Sequence, residues 1–225
     1  MTATTPLDRA LYGIADPELL PLPDDVADLL SLLEAPPRLA AHLRAVHDVA
    51  HRLVDWVAHH CPAAAFDREA VLFGAATHDI GKTVHVAELS GPGSEHEPAG
   101  RDLLLRHGVG PARARFAATH ASWTEPGVGL EDLLVSLADK IWKNKRVPDL
   151  EDRVVTALAG ASGREVWEEF IALDALLTAI GDGADERLAF QSSFAVHGPT
   201  EARRAGAPPA WRSDGGAGGR ESEPV

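Results

Sequence analysis

The sequence predicts an all-α fold, a single-domain helical bundle, and three observations carry that expectation. Apolar residues make up 45% of the chain and aromatics only 5%, a balance rich in Ala and Leu and poor in alternating Val, Ile and Thr. Where apolar positions recur, they do so at the helical period, and no stretch reads as a convincing strand. Glycine and proline fall between the periodic segments, at Gly108, Pro126-Gly127, Pro148 and Gly181, where helices are expected to stop.

Taken in order, residues 1–35 read as an N-terminal extension with a short helix. The clearest helix follows Pro36-Pro37, because proline is tolerated in a first turn. Its apolar stripe is Leu39, Leu43, Val46, Ala50, Leu53, Val54 and Val57, and it should reach about His60 and stop at Pro62. A second helix starts at Asp67, a suitable N-cap, and runs to a stop at Gly81. It is apolar on most sides and is expected to be central. Further helices are predicted over about 95–107, 111–120, 130–145, 149–160 and 163–180, with a break at Ser90-Gly91-Pro92-Gly93-Ser94. There is no internal repeat, so residues 36–197 form one helical core. From residue 198 the composition turns to Gly, Pro, Ala, Arg and Glu without periodicity, and residues 198–225 are expected to be a disordered tail.

Charge and cysteine content narrow the function classes. With 21 Lys and Arg against 34 Asp and Glu, the formal charge of −13 disfavours binding to a nucleic-acid polymer, which depends on excess basic charge. Cys61 is the only cysteine, so any metal site must use His, Asp and Glu, and a reducing compartment fits. The longest run free of charged side chains, Leu188 to Thr200, is 13 residues, well short of the ~20 apolar residues of a membrane span. The N-terminus lacks the pattern of a secretory signal. A cytoplasmic location without membrane attachment is expected; oligomeric state is not encoded.

The most informative segment is Thr77-His78-Asp79-Ile80-Gly81-Lys82, which ends the most apolar helix with two metal-competent side chains in a row. A His-Asp pair at a helix end is more often a cap than a ligand pair. His42 lies upstream and His96, His120 and Asp139 downstream, at successive spacings of 36, 18, 24 and 19. On a helical wheel His42 and His47 flank the apolar stripe equally, so periodicity alone does not choose between them. The segment from His47 to His51 also mimics a two-His helical zinc motif, although no third ligand is suggested. Asp139 has Lys143 at i+4 as an alternative salt-bridge partner, and His120 suits a helix C-terminal cap.

The order H, HD, H, H, D, with the local segments HLRAV, GAATHDIGK, HEPAGRDLL and SLADK, resembles the HD-domain superfamily of metal-dependent phosphohydrolases over roughly residues 37–145. The HLRAV match favours His42 over His47. The resemblance implies a helical bundle of HD-domain type in which His42, His78, Asp79 and Asp139 hold one metal, and Asp79 bridges to a second held by His96 and His120. Mixed imidazole and carboxylate ligation suits two divalent transition-metal ions, Fe, Mn, Co, Ni or Zn, better than Mg. Such a pair activates a hydroxide for in-line attack on phosphorus.

The substrate implied is a small phosphorylated molecule such as a nucleotide, either a phosphomonoester or a dinucleoside polyphosphate. The only tyrosine is Tyr12, so the HD-GYP cyclic-dinucleotide branch is set aside. Ile80-Gly81-Lys82-Thr83 lacks the acidic pair of alarmone hydrolases, and the pattern looks more like small stand-alone HD hydrolases. The same ligands are compatible with an HD-type di-iron oxygenase, or with a non-catalytic nucleotide-binding HD module. Only four of the 21 basic residues are lysine, Lys82, Lys140, Lys143 and Lys145, and all follow the HD pair or Asp139. Lys82 is expected to grip phosphate beside the catalytic Asp79, with Lys143, Arg146 and Trp123 contributing to substrate binding.

Overall fold

The computed structural model describes residues 4–196, and among these every regular element is helical. The predicted tail, 198–225, lies outside the described residues. The α-helices are α1 (Pro6–Tyr12), α2 (Asp24–Leu32), α3 (Pro37–His60), α4 (Arg68–Thr77), α5 (His96–Arg106), α6 (Pro111–Ala114), α7 (Phe116–Thr119), α8 (Leu130–Ile141), α9 (Pro148–Ser162), α10 (Val166–Gly181) and α11 (Ala184–Ser192). Two 3-10 turns, Ile80–Thr83 and Val86–Leu89, fill the connection from α4 to α5.

At 1.5 Å per residue α3 is about 36 Å long, and α1, α4, α8 and α11 pack along it. Its predicted stripe is fully realised, since all seven apolar positions from Leu39 to Val57 are buried. The α4 helix is central for the reason its composition gives: every residue from Ala70 to Thr77 is buried. Asp67 caps it, with its Oδ1 accepting from the Ala70 N–H at 3.0 Å. Gly74 lets two neighbours close on α4, because a Cβ there would stand 2.7 Å from the Phe116 ring and 2.8 Å from Val135.

Several boundaries depart from expectation. Gly81 does not stop α4, which ends four residues earlier at Thr77 and passes through His78-Asp79 into the 3-10 turn. Gly81 is needed instead for backbone contact with α5: a Cβ there would lie 2.0 Å from the His96 carbonyl oxygen and 2.6 Å from the Gly100 nitrogen. The predicted helix over 130–145 ends at Ile141. Asn144, at φ 55°, turns the chain left-handed, and the Asn144 N–H to Ile141 and Lys145 N–H to Lys140 bonds close it as a Schellman turn. The 111–120 segment is two short helices divided at Arg115, which itself keeps helical dihedrals. Among the described residues 4–35 there are two helices rather than one, and Ala10, Leu11, Val26 and Leu30 sit in the common core. The α11 helix was not anticipated; its buried side chains are only Ala184, Arg187 and Phe190, too few to stand out in the sequence.

Candidate metal centre

Two groups of three ligand-type side chains meet between α3, the end of α4, the start of α5, the end of α7 and α8. His42, His78 and Asp139 form one group and Asp79, His96 and His120 the other, and within each the ligand atoms lie within 4.8 Å of one another. All six side chains are buried. In the first group the Nε2 atoms of His42 and His78 are 3.2 Å apart, and Asp139 Oδ1 is 3.4 Å from His78 Nε2 and 3.8 Å from His42 Nε2. Two nitrogens about 2.1 Å from a common ion stand roughly 3.0–3.4 Å apart, so the spacing suits one.

Asp79 lies between the groups, with one oxygen turned to each. Its Oδ2 is 3.1 Å from His42 Nε2 and 3.6 Å from His78 Nε2, while its Oδ1 is 3.1 Å from His96 Nε2 and 3.6 Å from His120 Nε2. Despite that short contact, His96 Nε2 is buried without a hydrogen-bond partner. A buried ring nitrogen facing a carboxylate without a hydrogen-bond partner is costly unless a proton or a metal cation meets it, and the residues present fit a divalent ion.

The helix ends themselves aim the histidines. His78 Nδ1 lies 2.9 Å from the Ala75 carbonyl, and His120 Nδ1 3.1 Å from the Ala117 carbonyl. Each ring thus donates back to an otherwise orphaned helix-end oxygen three residues earlier, and its Nε2 is left facing the centre. Cap and ligand geometry, alternatives in the sequence, coexist here in one side chain. His96 is aimed differently, by Glu88, whose Oε2 is 2.5 Å from His96 Nδ1. Glu88 carries no motif and escapes sequence reasoning; the signal was an acidic residue just before the Gly-Pro-Gly loop that leads to His96.

Ionisation follows from these contacts. Burial alone would raise the Asp79 carboxyl, yet the His78, His42 and His96 imidazoles hold it well below the usual carboxylate range. Asp139, also pushed up by burial, is held far down by His78 and then Lys140. Burial lowers His42 and takes His120 down to about 4, so that ring is a neutral donor near neutral pH. At His96 burial is outweighed by Asp79 and Glu88, and its pKa is raised.

No protein family, curated protein or solved structure matches this chain. The reading of the site therefore rests on its own residues and distances.

The centre opens into a cavity of about 440 Å³ whose lining includes Lys82, Lys140, Lys143, Trp142, Leu188 and Gln191. A wider cleft of about 670 Å³ between Arg9 and Phe194 contains no histidine, so volume is not what marks the site. Lys82 Nζ is bound 2.6 Å from Asp79 Oδ2, and Lys140 Nζ 2.5 Å from Asp139 Oδ2. The partner of Asp139 is thus Lys140 and not Lys143, which lies exposed at the mouth. Two residues expected to contact substrate, Arg146 and Trp123, are not among those lining this cavity. Arg146 is committed to Glu151 and Asp174, both at 2.7 Å, because the Schellman turn carries it away from the cavity. Trp123 is half-buried against the apolar core. The aromatic side chain at the site is Trp142, 2% exposed and packed edge-on against His42 at 4.9 Å.

Proposed function

We propose that this chain is a metal-dependent phosphohydrolase of HD-domain type, acting on a small phosphate ester or nucleotide. The observation that carries the reading is Asp79, buried between two histidine-containing groups with one oxygen turned to each. His42, His78, Asp79 and Asp139 would hold a first divalent transition-metal ion, and Asp79, His96 and His120 a second, with Fe, Mn, Co, Ni and Zn suiting the donor set. Such ions supply a nucleophile at neutral pH and Lewis-acid stabilisation of charge developing on phosphorus.

The chain's own residues supply the rest. Lys82, Lys140 and Lys143 line the cavity in a protein of charge −13; Lys82 and Lys140 are paired with Asp79 and Asp139, and ions bound by those carboxylates would leave the ammonium groups to an anionic substrate. A cavity of about 440 Å³ suits a substrate of nucleotide size and not a polymer. Trp142, buried, packs edge-on against His42 and walls the centre on that side.

The test is metal analysis of the purified protein, followed by a phosphate-release screen over phosphomonoesters, nucleotides and dinucleoside polyphosphates with Mn, Co, Ni, Zn or Fe supplied. Two ions per chain and metal-dependent phosphate release are expected. Iron-dependent visible absorption with oxygen consumption and no phosphate release would replace this reading with an oxygenase; binding of nucleotides without turnover would leave a binding module.

A further inference from the structure

The geometry points to Glu88 as a positioning residue that sets the tautomer of His96 and so the affinity of the second ion site. Its carboxylate bonds three groups at the start of α5: Oε1 accepts from the Glu95 N–H at 3.2 Å, and Oε2 from the His96 N–H at 3.3 Å and from His96 Nδ1 at 2.5 Å. A carboxylate accepts only, so in the neutral ring the shared proton places N–H on Nδ1 and leaves the lone pair on Nε2, the buried atom without a partner that faces Asp79. Gly93 keeps the room for this arrangement, because a Cβ there would meet the Glu88 Cδ at 2.5 Å.

The other histidines lack an anionic support. His78 and His120 lean on neutral backbone carbonyls, and His42 Nδ1 is buried without a partner. His96 alone of the four is backed by a negative charge, which increases the donor strength of Nε2 and offsets part of the charge of an ion beyond it. Glu88 does not reach the centre itself, so it acts through His96. The inference rests on the proposed reading of Asp79, His96 and His120 as an ion site.

The experiment uses the full-length protein, stripped of metal and titrated with Co(II), alongside imidazole ¹⁵N NMR of the metal-free form at about pH 9, above the histidine range. Wild type is expected to take up two ions and to show His96 protonated on Nδ1. Glu88→Ala should move that proton toward Nε2 and weaken the second ion by roughly ten- to a hundredfold, leaving the first unchanged. Glu88→Gln, which keeps an acceptor oxygen but not the charge, should hold the tautomer and lose about tenfold at most. It decides the question if Glu88→Ala does not fold. A cap of purely structural value would lower the melting temperature of metal-free Glu88→Ala without changing its second Co(II) affinity, and that result overturns the inference. Protonation of wild-type His96 on Nε2 overturns it as well. If wild type takes up no cobalt, the metal reading fails, and the ¹⁵N spectra decide the tautomer role of Glu88 separately.

Discussion

Asp79 is 3% exposed and Asp139 8%, and burial on that scale is tolerable for a carboxylate only with cations or strong donors around it. Asp79 has four imidazoles and the Lys82 ammonium within 4 Å, and only the ammonium has no lone pair to offer an ion. Asp79→Ala removes the oxygens that face both groups, and elemental analysis should find both ions lost together with phosphate release. Lys82→Met removes a charge-assisted contact worth ~1.5–3 kcal/mol, so kcat/KM should fall roughly ten- to hundredfold while both ions are retained. Loss of metal from Lys82→Met would show that its bond to Asp79, and not phosphate, is its purpose. Away from the centre, His47 is 3% exposed, has a buried Nδ1 without a partner, and is pushed down to about 3 by burial, with His51 and Arg68 adding to the shift. Its folded value lies below the unfolded ~6.5, so protonation favours the unfolded chain, and stability is lost as pH falls from about 6.5 toward 3. Replacing it in His47→Leu should flatten the decline of the urea midpoint over that window; a variant as acid-sensitive as wild type would remove His47 as a cause.

At the scale of elements, the site depends on how closely α5 approaches the 3-10 turn Ile80–Thr83 that follows α4. Gly81 and Gly100 meet backbone to backbone, and this contact delivers the His78-Asp79 turn to His96. Gly81→Ala introduces a Cβ 2.0 Å from the His96 carbonyl, with backbone on both sides and no flexible side chain to yield. Overpacking of that kind costs ~1–3 kcal/mol or more, measurable by urea denaturation, and the second ion should be lost before the first because α5 alone must move. Equal weakening of both ions would argue against α5 as the displaced element. The helices themselves were legible where the apolar stripe is long, as in α3, or where composition is apolar all round, as in α4. Gly81 was misread as a stop because a glycine needed for close approach and one needed for a left-handed cap are identical in sequence. The α11 helix was missed because three buried side chains give almost no periodicity, although it brings Leu188 and Gln191 to the cavity.

Across the whole molecule, candidate ligands 97 positions apart, His42 and Asp139, come together because α3 and α8 pack side by side with α4 against both. The order of the candidate ligands was legible as a pattern of residue types; the helices that aim them, and Glu88 behind His96, were not, since a supporting contact between residues eight apart, across the break between a 3-10 turn and α5, follows no spacing rule. The same packing ties residues 4–35 to the bundle through Arg44, 5% exposed on α3. Its guanidinium donates to the carbonyls of Ala10, Gly13, Leu19 and Leu20, and it lies 5.9 Å over the Phe190 ring of α11. Burial lowers its pKa, with Asp48 partly offsetting, so the charge is held mainly by carbonyl dipoles. Arg44→Met keeps much of the apolar stem but leaves several inward carbonyls unmet, and an unsatisfied buried acceptor costs ~1–3 kcal/mol. After partial relaxation the loss should be about 2–4 kcal/mol in urea. Because the Arg44 hydrogen bonds all reach into the N-terminal segment, amide exchange in Pro6–Tyr12 should accelerate more than in Leu130–Ile141. Uniform acceleration over both helices would mean that α1 and α2 unfold only with the core, and that Arg44 contributes to the bundle as a whole and not to the attachment of its first two helices.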